Sequence, residues 1–440
     1  RLRTAMLRRV LVAGAAVGVA ASGAASAQSM FDASTTFNPN NTEANSFDRG
    51  GNVSVRQRPR PDYQAVGLHM GGFMIYPKIN TGITYDDNIY AVHSGAVGDE
   101  IFTIAPEIDV QSTWSRNALN GYVRDSQSLF AKYSREDVNE YGAGASGKYE
   151  FGDSLFAAAV DYGRYALPRS AANSGQILSK HPIQYDYTAV NGELAHTFNR
   201  LRLSGRIDYQ VYDYHNGETP GGATVFEKGL SHEVATYTGK AEYAVSPDSA
   251  VFITGAYNNR TYDLGPPQVS YNSNSDGYDI AAGANFDITH LLRGEVQVGY
   301  LDQQFKSPLF KPIKGLSAKG QVEWFPSQLT TVTLTGLRTV GDSGIVGSAG
   351  FVNSTGGVQV DHELLRNVIL TANATVTQNK YSGIDRTDNI WGAGLSANWL
   401  LTRAVGLTLA YTYANQHSSG AAHGPEFGDN RISLSAVFQY

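Results

Sequence analysis

Apolar and polar residues alternate along the chain from residue 73 to its C-terminus, in stretches of about ten to fourteen positions separated by turn-forming residues. In the final stretch, Ile432, Leu434, Ala436, Phe438 and Tyr440 share one face, and Arg431, Ser433, Ser435 and Gln439 share the other, with Val437 as the exception. Because side chains of a β-strand point alternately to opposite faces, this period of two predicts strands with one apolar and one polar face.

The pattern predicts eighteen strands whose connections are alternately short and long. The short connections are residues 115–117, 152–154, 199–200, 246–248, 289–290, 326–328, 365–367 and 402–404. Short turns at one end and long loops at the other are typical of outer-membrane barrels, which have an even number of strands. The sequence therefore predicts an all-β protein, a transmembrane antiparallel up-and-down β-barrel of about 18 strands with both termini in the periplasm.

The apolar faces carry aromatic residues where a membrane would have its interfaces. In the strand near residues 389–401, Trp391 and Trp399 lie on the same face, roughly 20 Å apart along the membrane normal for a strand tilted by about 40°. A buried strand of a soluble β-sandwich is the alternative interpretation. The predicted aromatic girdle comprises Trp114, Trp324, Trp391, Trp399, Phe438 and Tyr440.

Charged residues on the polar faces are the candidate functional residues. The set comprises Glu107, Asp109, Lys148, Glu150, Arg202, Arg206, Asp208, Asp279, Asp287, Arg293, Glu295, Lys319 and Glu323. Charged groups inside a barrel require water or an opposite charge, and eighteen strands can enclose an aqueous lumen. We therefore expect these residues to line a pore, with a plugged or purely structural barrel as the alternative.

The N-terminal part of the chain differs from the rest. Arg8 and Arg9 precede an Ala-rich apolar run and small residues at 25–27, which predicts a secretory signal peptide over residues 1–27, with Met6 as the initiator. The run is short for a membrane-spanning helix. Residues 28–72 are rich in Asn, Ser, Arg and Pro without periodicity, so we expect a flexible periplasmic arm that serves as a spacer or as a docking peptide. The barrel then occupies residues 73–440.

Composition limits the remaining functions. The chain has no cysteine, which excludes disulfides and cysteine-based zinc sites. Removing four arginines with the signal peptide leaves 30 basic against 40 acidic side chains, which argues against nucleic acid as a partner. We expect no cofactor and no metal. The acidic groups Asp86, Asp87, Asp99 and Glu100 would be the candidates for calcium, although charged loop tips are more common.

Three short motifs suggest enzymes, but their context does not support catalysis. Gly142, Gly144 and Gly147 fit a dinucleotide-binding spacing but lie along a strand, and the esterase-like residues 152–155 fit a hairpin turn. Residues 341–344 resemble a protease serine block without its histidine. We therefore predict no catalytic residues, and an outer-membrane lipid hydrolase is the remaining enzymatic alternative. Pro106 falls within a predicted strand, where we expect a β-bulge.

Several blocks resemble an outer-membrane β-barrel porin family of Gram-negative bacteria. They are residues 58–63 (RPRPDY), 85–90 (YDDNIY), 324–326 (WFP) and 362–367 (HELLRN). The resemblance implies a pore associated with exopolysaccharide secretion, with a polysaccharide-export protein and a polysaccharide as partners, besides outer-membrane lipid. The aromatic C-terminal residue resembles the endings of such barrels, which implies contact of the last strand with the barrel-assembly machinery. A general diffusion porin for small solutes is the alternative function.

Overall fold

The computed structural model describes residues 52–170, 179–265, 269, 271–289, 291–343, 345 and 347–440. The predicted signal peptide, residues 1–27, and residues 28–51 of the predicted arm lie outside the described residues. Eighteen long strands form the wall: β1 Phe73–Asp86, β2 Asp99–Ser112, β3 Ala118–Phe130, β4 Val138–Phe151, β5 Ser154–Ala166, β6 Gln184–Phe198, β7 Leu201–Tyr214, β8 His232–Ser246, β9 Ser249–Tyr262, β10 Ser275–Ile288, β11 Leu292–Phe305, β12 Ile313–Ser327, β13 Thr330–Asp342, β14 Gly350–Leu365, β15 Val368–Ser382, β16 Thr387–Leu400, β17 Val405–Ser419 and β18 Phe427–Gln439. The predicted strand count is confirmed.

Each strand pairs antiparallel with its neighbours in the chain, and the last strand closes the sheet on the first. The closing ladder runs from the pair Lys78 and Gln439 to the pair Asp86 and Arg431. A closed sheet leaves no strand edge unpaired, which is what a β-structure requires in lipid. The predicted antiparallel up-and-down barrel is therefore confirmed.

The two ends of the barrel differ in their connections. Eight short turns connect even-numbered strands to the next strand and define what we call the turn end, while the loop end carries the longer connections. Gly152, Asn199 and Thr289 have positive φ angles of 59°, 54° and 57° in three of the short turns. Gly152 therefore belongs to a tight hairpin, as the sequence predicted for the esterase-like residues.

Apolar side chains cover the outer face. Val298 on β11 is 57% exposed, and Leu395 on β16 is 60% exposed, although each lies in the middle of a strand. Exposed apolar surface of this extent marks contact with lipid. All six residues of the predicted aromatic girdle are also exposed. Trp324, Trp399, Phe438 and Tyr440 lie at the turn end with Trp114, and Trp391 lies nearer the loop end.

The expected β-bulge at Pro106 is wrong. The register of β2 and β3 is the same on both sides of this residue, as the pairs Ile104 with Gln127 and Glu107 with Arg124 show. The pairing lapses instead at Ala105 and Pro106 and then resumes. Because proline has no backbone N–H, the ladder loses one hydrogen bond there without inserting a residue.

Short elements lie around the barrel strands. Leu68–Met70 pairs with the start of β1, Gly217–Glu218 pairs with Thr224–Val225, and single-turn 3-10 helices span Ser134–Glu136 and Lys228–Leu230. Among the described residues, no helix has the length and apolar character needed to cross a membrane.

Two loops fold inward at the loop end and cover the lumen wall there. Tyr187, Tyr212 and Tyr214 point inward from β6 and β7 and form a buried cluster with loop residues that include Ile183 and Val225. Tyr214 is fully buried. Burial of this much aromatic surface fixes the loops against the wall, so they narrow the loop-end mouth.

Glu227 is a buried carboxyl in one of these inward loops. It is 6% exposed, and burial raises its pKa from 4.5 to about 7. Its backbone N–H donates to Asn216 Oδ1 at 2.9 Å, which ties it to the start of the same loop. Tyr214 of the buried cluster lies close enough to interact electrostatically with it.

Ala397 on β16 lies on the lipid face, and Gln321 on β12 lies on the lumen face. We predict that Ala397→Arg lowers the free energy of unfolding by about 2 to 4 kcal/mol, because it places a charge in hydrocarbon, and that Gln321→Arg has little effect. Urea titrations of both variants refolded in lipid vesicles test this. Equal destabilisation at the two positions would contradict the assignment of the faces.

The raised pKa of Glu227 predicts a pH-dependent loop. The stabilisation from the protonated carboxyl is fully present below the ordinary pKa of 4.5, decreases as the pH rises, and is lost above the folded pKa of about 7; it amounts to at most about 3 kcal/mol. We expect wild-type protein to lose stability between pH 5 and pH 8, and Glu227→Gln to lose less. Urea titrations at both pH values measure the difference, and an identical pH dependence in both proteins would contradict this account.

The lumen wall as candidate functional site

Predicted lumen residues on β2 form a compact charge cluster with a lysine of β1. Lys78 Nζ lies 3.1 Å from Glu107 Oε1 and 3.0 Å from Asp109 Oδ2. The three side chains are about one quarter exposed, and the two carboxylates lie two positions apart on one strand. One cation between two carboxylates leaves the cluster with a single net negative charge.

Other charged residues make ion pairs that extend over several strands. Arg206 donates to Asp208 at 2.7 Å within β7. Lys240 on β8 reaches Glu295 on β11 at 3.0 Å, so this pair crosses the two strands between them. Asn285 on β10 donates to Glu242 on β8 at 2.7 Å. Side chains therefore lie across this part of the wall and bind one another.

The remaining predicted lumen residues also occupy the inner face. Lys148 pairs with Glu150, Arg202 lies 3.8 Å from Glu193, and Asp279 accepts a hydrogen bond from Ser317 at 2.6 Å. Lys319 is exposed, and Asp287 is buried. Arg293 and Glu323 form a pair at 2.6 Å that is almost completely buried at the turn end.

Residues 52–60, which we call the docked segment, cover this buried pair. Arg293 donates to the carbonyl oxygen of Asn52 at 2.9 Å and to Gln57 Oε1 at 2.7 Å. The segment's own arginines reach β14: Arg56 contacts Asp361, and Arg58 and Arg60 contact Glu363. Residues 52–60 of the predicted flexible arm are therefore bound to the inner wall.

One side of the lumen wall carries no charge between its two ends. On β13 to β17, the inward positions between the turn-end carboxylates Asp361 and Glu363 and the loop-end Asp388 hold uncharged residues, mostly Thr, Asn, Gln, Ser and Gly. Asn353 donates to Asn379 at 2.8 Å, and the hydroxyls of Thr355 and Thr377 are 2.9 Å apart. We call this surface the neutral strip.

The β13–β14 hairpin leans over the lumen at the loop end. β13 stops pairing with β12 after Arg338 but stays paired with β14 as far as Asp342. Asp342 accepts a hydrogen bond from Arg260 of β9 at 2.7 Å and lies 3.8 Å from His232 of β8. Since β13 is not a neighbour of β8 or β9, these buried contacts hold the hairpin tip across the mouth.

One glycine of the dinucleotide-like spacing, Gly144, has a packing role. Gly144 faces inward on β4, and the hydroxyl of Tyr122 on β3 donates to Asp161 on β5 at 3.0 Å directly above it. A Cβ at Gly144 would collide with both side chains. Glycine is therefore required for the hydrogen bond to cross the intervening strand.

Asp86, Asp87 and Asp429 bring carboxylate oxygens within 4.8 Å of one another at the loop end. Arg431 contacts Asp86 at 2.9 Å and Asp429 at 2.8 Å, and Asp87 accepts two hydrogen bonds from Asn430. The cluster thus joins β1 to β18 at the point of closure. Asp99, also considered for calcium, accepts instead from the backbone N–H groups of Lys132 and Tyr133.

Sequence reasoning did not identify Asp361 and Glu363 as partners of the N-terminal residues. About three hundred positions separate the two groups, so no local pattern connects them. The available signal was charge: Arg56, Arg58 and Arg60 form a basic run, and buried carboxylates require cationic partners.

Comparisons with solved structures give remote similarities to outer-membrane proteins. OccAB3 of Acinetobacter baumannii has 10% sequence identity and a TM-score of 0.46, with 84% of this chain and 100% of that chain covered. OccK2 (OpdF) of Pseudomonas aeruginosa has 10% identity and a TM-score of 0.45, with 85% and 99% covered. A BenF-like porin of Pseudomonas fluorescens Pf-5 has 12% identity and a TM-score of 0.44, with 83% and 99% covered. No curated protein matches the sequence.

The family comparison gives a direct assignment. Residues 60–440 match the family described as "Putative beta-barrel porin 2". The match covers all eighteen strands of the wall together with the end of the docked segment. The resemblance found in the sequence is confirmed, as is the expectation that the protein is not an enzyme, since porins are channels. The chain belongs to this family and is a β-barrel porin of the bacterial outer membrane.

Proposed function

We propose that the protein is the outer-membrane exit conduit for a secreted exopolysaccharide and that it works with a polysaccharide-export protein on its turn-end side. The neutral strip is the observation that supports this proposal most directly. Its hydroxyl and amide groups both donate and accept hydrogen bonds, as the hydroxyl groups of a sugar do. A saccharide chain can therefore exchange one set of partners for the next as it moves along the strip.

The charged side of the wall is compatible with the same role. Its cations and carboxylates are largely paired with each other, as Lys78 is with Glu107 and Asp109. Lining charges set ion selectivity when they share one sign, and a mixed wall exerts a weaker net field. A neutral or anionic polymer would thus meet no strong electrostatic barrier.

The orientation follows from the connections. In barrels of this type, short turns face the periplasm and long loops face the exterior. The docked segment and the turn-end carboxylates would then lie on the side from which a polymer enters. The inward loops and the β13–β14 hairpin would lie at its exit.

A general diffusion porin for small solutes is the second candidate. The mixed charged wall supports it, because an electrostatically mixed lumen discriminates weakly among small solutes. The two functions differ in what is lost with the gene. Loss of a conduit should abolish surface polysaccharide, whereas loss of a diffusion porin should slow the uptake of small solutes.

Charge placed in the neutral strip tests the proposal in the native bacterium. Asn373 and Thr375 face the lumen from β15. We expect Asn373→Asp combined with Thr375→Glu, expressed in a strain without the wild-type gene, to reduce surface polysaccharide, because two unpaired carboxylates interrupt the uncharged path. Polysaccharide is measured on intact cells, with the amount of folded barrel determined in parallel.

The matched control adds the same charge to the charged part of the lumen wall. Gln297→Glu with Gln321→Glu places two carboxylates on β11 and β12, beside Lys319. We expect this variant to retain surface polysaccharide. If a strain without the gene keeps its surface polysaccharide and loses only small-solute uptake, the protein is a diffusion porin.

A further inference from the structure

Two carboxylates at the turn end of β14 form a site for cationic groups. Asp361 and Glu363 lie two positions apart on the inner face, and their side chains are only 4% and 5% exposed. Burying a carboxylate without a cation is unfavourable, so both groups require positively charged partners. Arg366 of the adjoining turn lies 3.5 Å from Glu363, and the shorter contacts come from arginines of the docked segment.

Three arginines of the segment reach the two carboxylates. Arg56 Nε donates to Asp361 Oδ1 at 2.8 Å. Arg58 Nη1 and Arg60 Nη2 donate to Glu363 Oε2 at 2.9 and 2.8 Å. The backbone N–H groups of Gln57 and Arg58 both donate to the carbonyl oxygen of Ser54 at 3.0 Å, so a turn over residues 54–58 presents Arg56 and Arg58 to the wall.

A second group of contacts holds the start of the segment. Val55 is fully buried, and its backbone N–H donates to Thr331 Oγ1 at 3.0 Å. Arg293, which is 1% exposed, connects Glu323 with Asn52 and Gln57. Arg56 also donates to Thr371 Oγ1 on β15 at 3.3 Å, so the segment crosses the inner wall from β11 to β15, about 19 Å at the usual spacing between strands.

We propose that the turn-end carboxylates are a binding site for an arginine-rich peptide and that the docked segment occupies it as a tethered plug that restricts the lumen. The covalent connection to β1 gives the segment a high effective concentration at the site. Polar contacts dominate its attachment, with Val55 as a buried apolar contact, so a competing basic segment of a partner protein can displace it. The inference goes beyond the conduit proposal and requires only that the lumen conducts ions.

Neutral variants of the segment test the plug in planar bilayers. We expect Arg56→Gln, Arg58→Gln and Arg60→Gln together to raise the conductance, because losing charge-assisted hydrogen bonds makes release of the segment about tenfold or more easier. Asp361→Asn with Glu363→Gln should have the same effect. Combining the two sets of substitutions should raise the conductance no further than either set alone, since both sets remove the same contacts.

The control removes three arginines elsewhere at the turn end. Arg116, Arg200 and Arg403 are exposed residues of three other turns. Arg116→Gln, Arg200→Gln and Arg403→Gln together should leave the conductance at the wild-type level. An increase equal to that of the segment variant would assign the effect to surface charge and overturn the plug.

A peptide added in trans tests the binding site itself. A synthetic peptide of residues 52–63, applied on the turn-end side, should lower the conductance of the triple segment variant again. It should not affect Asp361→Asn with Glu363→Gln, which lacks the carboxylates. If the peptide lowers the conductance of both variants, or of neither, the proposed site is overturned.

A disulfide tests closure without removing any charge. The chain has no native cysteine, so Val55→Cys with Thr331→Cys can form only one intramolecular bond. We expect oxidation to cross-link the segment to the wall and to hold the conductance at its lowest level. Reduction should allow the segment to be released again, and the conductance should then rise. A cross-linked barrel that conducts as well as the triple segment variant would overturn the plug, as would a triple variant with wild-type conductance.

If these ion-conductance results hold while cells retain surface polysaccharide without the gene, the plug stands and the conduit proposal fails.

Discussion

Every backbone N–H and C=O group inside a lipid bilayer must find its partner within the protein, and this requirement determines the architecture of the porin. The ladder between β1 and β18 meets the requirement by removing the last free edge of the sheet. Once the sheet is closed, the alternation of side chains assigns one face of every strand to lipid and the other to the lumen. The apolar outer belt and the polar inner wall follow from the same closure.

The inner wall then divides according to how its polar groups are satisfied. On β1 to β12, charged groups are paired over one, two or three strands, as the Lys240 and Glu295 pair illustrates. On β13 to β17, amides and hydroxyls form hydrogen bonds without charge. Both solutions avoid isolated buried charges, but only the second leaves a surface whose hydrogen-bond chemistry matches that of sugars. The ends of the lumen are restricted by different means: Arg260 with Asp342 and the inward loops at one end, and the docked segment at the other.

The sequence predicted the wall because its information is local. The alternation at Ile432 to Tyr440 and the turn at Gly152 each depend on residues close together in the chain, and strand count and topology follow from them. The same locality explains what was missed. We expected a bulge at Pro106. The structure accommodates its missing N–H by leaving two residues of β2 unpaired with β3, without a change of register. The sequence around Arg56 does not indicate its contact with Asp361. The sequence around Gly144 does not indicate that the side chain of Tyr122 passes over it. Both contacts depend on residues that are neighbours only in the folded structure.

The central claim, that the lumen is a water-filled channel lined by the neutral strip, is most directly tested by cysteine labelling along β15. The chain offers no competing cysteine, and Asn373, Ala374, Thr375 and Val376 alternate between lumen and lipid. Each position is replaced singly by cysteine, and the refolded barrels in vesicles are treated with a membrane-impermeant thiol reagent. We predict rapid labelling at 373 and 375 and protection at 374 and 376. Protection at all four positions would contradict it, because the lumen would then be closed to water.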